Sequence, residues 1–239
     1  MFCGKEIPRE ELTMEHFVPK GLWEKGHRPN GMRTLPAHKT CNGAYSEDNE
    51  YFRDVFVLDD GAQRDPAAAR VQQGALQRKI EQKPGSIAKV LKNLGLKLVQ
   101  TKSGIYIGLQ PGFEINHEQI ARVLVNVMKG IFYLSQGQPM PQDFIPVVFD
   151  VRQLPPEAVL ETSRFMVPWQ GFGDTAFACR YVVSSKLPIQ KMTCLMSFYG
   201  NRIFLGEVVS PLLLGKDGNL FVPARIGGEV LVPNWAADR

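Results

Sequence analysis

The spacing of apolar positions changes along this chain, and each spacing predicts a different element. Ile120, Val123, Leu124, Val127, Met128, Ile131 and Phe132 recur in alternating steps of three and one, which is one face of an α-helix. The helix is predicted over roughly 117–135, with Asn116 as its cap, Gln119 three residues on and His117 in its exposed first turn. Beyond Pro139-Met140-Pro141 the runs become short and strand-like: Phe144–Val151, Phe165–Val167, Ala176–Val183, Met192–Phe198, Ile203–Val209 and Leu220–Val222. Gly, Pro and Asn separate them, and Tyr199-Gly200-Asn201-Arg202 reads as a hairpin tip. Trp169-Gln170-Gly171-Phe172-Gly173 reads as a turn with a packed Trp. The prediction is an α+β fold: an antiparallel sheet with one long helix packed on it.

Upstream, Asp59-Asp60-Gly61 marks a boundary. Asp65-Pro66 starts a helix over roughly 65–82, decorated by Arg70, Arg78, Lys79 and Lys83, and Pro84-Gly85 breaks it. Ser86 caps a short helix carrying Ile87, Val90, Leu91 and Leu94, which Gly95 stops. Leu96–Gln100 and Ile105–Gln110 flank Thr101-Lys102-Ser103-Gly104 as a hairpin. In the first sixty residues an extended run around Glu15–Pro19 is followed by a glycine-rich stretch over 20–34, predicted to be a mobile loop. Pro36 is expected to end the next extended run, and a helix is expected over roughly 44–56. The chain thus divides into residues 1–60, a helical linker over 61–103, and an α+β region over 104–239.

The net charge of +4 is unevenly spread. Residues 1–60 carry 8 basic against 11 acidic residues, residues 61–103 carry 9 against 2, and the remainder balances at 11 each. A basic segment beside an acidic one is either a solvated helix face or a contact surface for a polyanion. No apolar run approaches the roughly 18 residues of a membrane span, and the first residues lack the apolar core of a secretory signal. These features point to a cytoplasmic protein with no membrane partner. Four cysteines are too few for a disulfide scaffold. Cys179 and Cys194 lie in apolar runs and read as inert core thiols.

Chemistry-bearing side chains are concentrated at the start. His16, His27 and His38, with Cys3 and Cys41, all precede residue 43. Glu15-His16 with Pro19, followed by His38-x-x-Cys41-Asn42, resembles the HNH (ββα-metal) endonucleases of the zinc-knuckle subtype, over roughly residues 1–55. The resemblance implies a β-hairpin feeding an α-helix, with metal where the two meet. It implies His16 as the catalytic base, and Glu15 and Asn42 as ligands of a catalytic Mg²⁺ or Mn²⁺. It implies Cys3, His38 and Cys41 as ligands of a structural Zn²⁺. Three positions depart from the family pattern. Cys3-Gly4 stands for the second cysteine of the first knuckle pair, whose partner would precede Met1. His38 replaces a cysteine, a change zinc accommodates. Arg33-Thr34 stands where an asparagine usually orients the loop bearing the catalytic histidine.

The expectation is therefore a metal-dependent endonuclease acting on DNA. Phosphate contacts are expected from Arg70, Arg78, Lys79 and Lys83, and products with 5′-phosphate and 3′-hydroxyl ends. The alternative is a zinc-knuckle nucleic-acid-binding protein without catalysis. A structural zinc domain serving a protein complex is a third reading.

Overall fold

A computed structural model describes residues 6–92, 94–101, 103–172, 174–184 and 191–210. Cys3 and the expected strand over Leu220–Val222 lie outside these. The chain is mixed α and β, with a five-stranded antiparallel sheet and two separate two-stranded ribbons.

The first ribbon pairs β1 (Leu12–His16) with β2 (Thr34–His38), in a register that sets Leu12 opposite His38 and His16 opposite Thr34. Two helices follow directly, α1 (Lys39–Ala44) and α2 (Ser46–Val57). The helical region therefore starts earlier than the expected 44–56. Pro36 lies inside β2 and does not end it. Each strand of a two-stranded ribbon has one unpaired edge, where proline's missing N–H costs no ladder hydrogen bond.

Asp65 caps α3 (Pro66–Val71), its carboxylate accepting from the amides of Ala67 at 2.8 Å and Ala68 at 3.0 Å. The helical path continues through a π turn at Gln72–Leu76 into α4 (Gln77–Gln82). Then α5 (Pro84–Val90) begins on Pro84 itself, where the missing N–H is one of the donors a helix start leaves unused anyway. β3 (Gly95–Gln100) and β4 (Tyr106–Gly112) form the second ribbon.

The long helix α6 (His117–Gln136) carries the predicted cap: Asn116 Oδ1 accepts from the amide of Gln119 at 3.2 Å. All seven apolar residues of its predicted face are buried, a gross stabilisation of about 1.5–3 kcal/mol each. The large sheet runs in the order β5 (Ile145–Asp150), β9 (Arg202–Val209), β8 (Lys191–Phe198), β7 (Phe177–Ser184), β6 (Gln170–Gly171). Tyr199 and Gly200, both with positive φ, turn β8 into β9, the backbone a tight hairpin with right-handed twist requires. Alternation along the strands gives the sheet two buried faces. Cys194, Met196, Phe198 and Phe204 join α2 and α6 in the main core, whereas Val147, Phe149, Leu195 and Leu205 form a second cluster with Leu154 and Met166. Near that second face lies α7 (Pro156–Ser163), which the hydrophobic pattern does not predict. The expected strand Phe165–Val167 is irregular, and Trp169 is 45% exposed beneath the Arg180 guanidinium, not packed inside.

The main core draws residues from 1–60, 61–103 and 104–239 alike. The start of the segment between β1 and β2, through Trp23, is part of it, so the expected loop over 20–34 is anchored at its beginning, whereas residues 25–31 are largely exposed turns. Leu22 and Trp23 are buried. Tyr199 Oη donates to the Leu22 carbonyl at 2.9 Å, and Trp23 Nε1 donates to Asp174 at 2.7 Å. Glu24 reaches into the π turn, accepting from the Ala75 amide at 2.6 Å and from Arg78 at 2.5 Å. Gly74 makes room for it, since a Cβ there would lie 2.1 Å from the Glu24 carboxylate.

Candidate metal and phosphate site

The end of β1 presents Glu15 and His16 to opposite sides of the ribbon, because neighbours along a strand alternate. Glu15 pairs with Leu35, on the side where Leu35 and Ala37 are buried. This is also the side α1 approaches, bringing Asn42 near the Glu15 carboxylate. Burial raises the Glu15 pKa above its ordinary value, opposed by the charge of Lys20 and then by the neighbouring Asn42 side chain. The arrangement is a partly desolvated carboxylate beside an amide.

His16 is half-buried, and its Nδ1 is buried with no hydrogen-bond partner. Its pKa is lowered, first by burial, then by the charges of Lys20 and Arg28, with a smaller opposing contribution from the Arg33 backbone. A histidine held neutral near pH 7 can accept a proton.

What fixes this strand end is the next residue. Phe17 is buried, its ring 6.2 Å from Phe177 edge-on and 6.4 Å from Phe172. Gly130 of α6 faces it so closely that an added Cβ would stand 2.3 Å from Phe17 Cβ. Phe17 and Arg33 also line a cavity of about 150 Å³, closed by Phe172, Phe177, Cys179 and Tyr181. Burial pushes the Cys179 thiol up to about 12 and raises Cys194 as well, consistent with unreactive core thiols.

His38 ends β2 and is buried, with its Nε2 2.8 Å from the carbonyl of Glu6. A carbonyl can only accept, so Nε2 donates. Cys41 follows in the first turn of α1 and is partly exposed. Among the described residues no group of three or more His, Cys, Asp and Glu side chains converges. The third expected zinc ligand, Cys3, lies outside them.

The four basic residues expected to meet phosphate fall into two kinds. Lys79 is 14% exposed and held at 2.5 Å by both Glu50 and the fully buried Asp54. Arg78 pairs with Glu24. Arg70 is half-buried and Lys83 exposed. Lys83 lines, with Lys79 and Lys92, a groove of about 560 Å³ that also carries Glu47, Glu50 and Glu114. The cations whose charge reaches the Glu15–His16 end are different ones, Lys20 and Arg28. Their signal is present in the sequence at a finer scale: residues 17–40 hold Lys20, Lys25, Arg28, Arg33 and Lys39 against the single acid Glu24.

Comparison with family models, curated proteins and solved structures returns no match for this chain.

Proposed function

We propose that the protein is a metal-dependent endonuclease that hydrolyses DNA phosphodiester bonds at the end of its first β-ribbon. The observation that carries this reading is the convergence of Glu15 from β1 with Asn42 from α1, next to a half-buried neutral His16 and the cationic residues Lys20 and Arg28. Glu15 and Asn42 suit a hard divalent cation, since both offer oxygen. The carboxylate raised by burial is the group such an ion would relieve. A bound Mg²⁺ or Mn²⁺ supplies Lewis-acid stabilisation of the phosphate and of the departing 3′ oxygen.

The chain's own groups do the rest. His16 takes a proton from the attacking water, the new bond forms to phosphorus, and the bond to the 3′ oxygen breaks; the departing alkoxide takes a proton from solvent and His16 returns its proton to solvent, leaving a 5′-phosphate and a 3′-hydroxyl. Lys20 and Arg28 attract the phosphate. With Cys3, His38 and Cys41 would be the ligands of a structural Zn²⁺, residue types that suit that ion. Arg70 and Lys83 extend the cationic surface along the duplex.

Nicking of supercoiled plasmid by the purified full chain tests the proposal. Activity should require Mg²⁺ or Mn²⁺, and His16→Ala should lose roughly 10²–10⁴-fold in rate while retaining DNA binding. Nicking at the wild-type rate by His16→Ala would overturn it. One observation favours a second reading, a nucleic-acid-binding module without catalysis: His16 Nδ1 is buried with no hydrogen-bond partner to orient the ring. Salt-sensitive DNA binding with no metal-dependent nicking would select that reading.

A further inference from the structure

The cavity beside Phe17 has a buried floor and an exposed rim. Ile131 of α6 and Phe177 and Cys179 of β7 are buried at its floor. Arg33 and Gln170 are exposed at its edge, and Tyr181 is half-buried there. Its rings do not stack on one another: Phe172 is tilted 33° from Phe177 and 54° from Phe17, with centroids 6.2 and 6.4 Å apart. Gln170 belongs to β6, the edge strand of the large sheet, and sits opposite Cys179.

Size, polarity and place each restrict what the cavity holds. Folded cores are close-packed, with few voids larger than a water molecule, and 150 Å³ is well above that. An apolar cavity of about 150 Å³ accepts one benzene-sized ring; a fused ring system or a long alkyl chain exceeds it. Arg33 is the only charged side chain among the described residues that line it, so an occupant with an anionic substituent at the rim is favoured over a cationic one. The Gln170 amide and the Tyr181 hydroxyl each both donate and accept, which suits a ring with donors and acceptors along its edge. The ribbon sets the position. Phe17 follows His16 directly, and Arg33 directly precedes Thr34, the residue opposite His16. The cavity therefore adjoins the strand end where the phosphate is proposed to bind.

We propose that this cavity receives the base of one unpaired pyrimidine nucleotide of a DNA strand, whose phosphate lies at the His16 end of the ribbon. A pyrimidine nucleotide has a single six-membered ring, a polar edge and a phosphate, which match the floor, the rim and the neighbouring cations in turn. The proposal rests on the DNA reading of that site and adds that the bound nucleotide is unstacked. A duplex keeps its bases stacked, so the nucleotide comes from a single strand or leaves the stack to enter.

Fluorescence anisotropy of the full chain, without divalent metal so that no strand is cut, tests this with two probes. One is a short strand of abasic nucleotides; the other is the same strand carrying one thymidine. Their backbone charge is identical, so the ratio of affinities isolates the base. Wild type should bind the thymidine strand roughly 5- to 150-fold more tightly, the range that one base stacked on an aromatic side chain supplies. Adenosine in the same place should recover little of that gain. Leu134→Trp, which fills the cavity from the half-buried part of its wall, should abolish the thymidine preference and leave affinity for the abasic strand unchanged. A strand with 5-iodouridine in place of thymidine gives a measurement on wild type itself: irradiation should crosslink it to Phe172, Phe177 or Tyr181. Equal affinities in wild type, an equal gain from adenosine, a preference that survives in folded Leu134→Trp, or crosslinks confined to residues away from the cavity would each overturn the inference. Equal affinities together with metal-dependent nicking overturn it alone and leave the proposed function standing, whereas binding of neither strand overturns both.

Discussion

Substituting Gly130 by Ala separates a helix-propensity argument from a packing argument. Gly130 lies within α6, where alanine is favoured over glycine by about 1 kcal/mol on propensity alone. The added Cβ, however, would stand 2.3 Å from Phe17 Cβ and 2.6 Å from two atoms of its ring, whereas ordinary contacts begin at 3.4 Å. Relief requires the helix and Phe17 to separate by roughly 1 Å, in a core that does not yield freely. Overpacking of this kind costs about 1–3 kcal/mol, and an approach of two Cβ atoms this close belongs at the upper end of that range. Gly130→Ala should therefore lower the urea midpoint with an unchanged slope, and each kcal/mol should lower Tm by about 2–4 °C in a chain of this size. The same displacement reaches His16 through its bond to Phe17. Since a misplacement of ~1 Å can cost on the order of 10²-fold in rate, nicking should fall by about that factor although every site residue is intact. A Gly130→Ala protein as stable as wild type, or more so, would refute the packing argument and leave propensity as the controlling effect.

The lowered His16 pKa has a signed consequence for stability. A histidine held neutral contributes stability that is present above 6.5 and is lost as pH falls through its depressed folded value. His16→Gln should flatten that part of the stability–pH curve, and the nicking rate of wild type should titrate below pH 6.5, so a rate limb above that value would contradict His16 as the base. Asp54 is fully buried between Arg53 and Lys79; Asp54→Asn should cost about 3–5 kcal/mol by urea denaturation, as removal of one member of a buried ion pair does. Lys20→Gln with Arg28→Gln should flatten the log–log salt slope of DNA binding by up to about 0.9 per lost phosphate contact, and an unchanged slope would remove these residues from the phosphate surface. Lys79→Gln should instead register chiefly as lost stability.

How far the sequence discloses this structure depends on the range of the interaction that decides each element. The α6 face, the Asn116 cap, the Tyr199-Gly200 turn and the β3–β4 ribbon are settled by neighbours a few residues apart, and all are legible. Glu15, His16 and Asn42 are legible as candidates because their residue types and spacing form a pattern. The helix α7 escapes because Pro155-Pro156 reads as a break, although proline in a first turn is equally a start signal, and because its apolar residues are few. Burial of Leu22 and Trp23 depends on Tyr199 and Asp174, far along the chain, so local glycine content points the wrong way there. Lys20 and Arg28 are hidden by averaging: a window of sixty residues is acidic, whereas the stretch that meets the site is strongly basic. Conversely, the basic segment over 61–103 looks available for phosphate until Lys79 and Arg78 are seen neutralised by acids from the first sixty residues.

The hydrogen bond from Tyr199 to Leu22 spans 177 positions, and that from Trp23 to Asp174 spans 151. On a ribosome adding about 5–20 residues per second, closing the longer of these spans takes on the order of 10–35 s. For most of that interval the nascent chain carries Glu15, His16 and Asn42, while the supports of Phe17 and of the segment after β1 are added one after another: Gly130 first, then Phe172, Asp174 and Phe177, and Tyr199 last. The ribbon end that bears Glu15 and His16 therefore gains its final support only when the turn between β8 and β9 has closed.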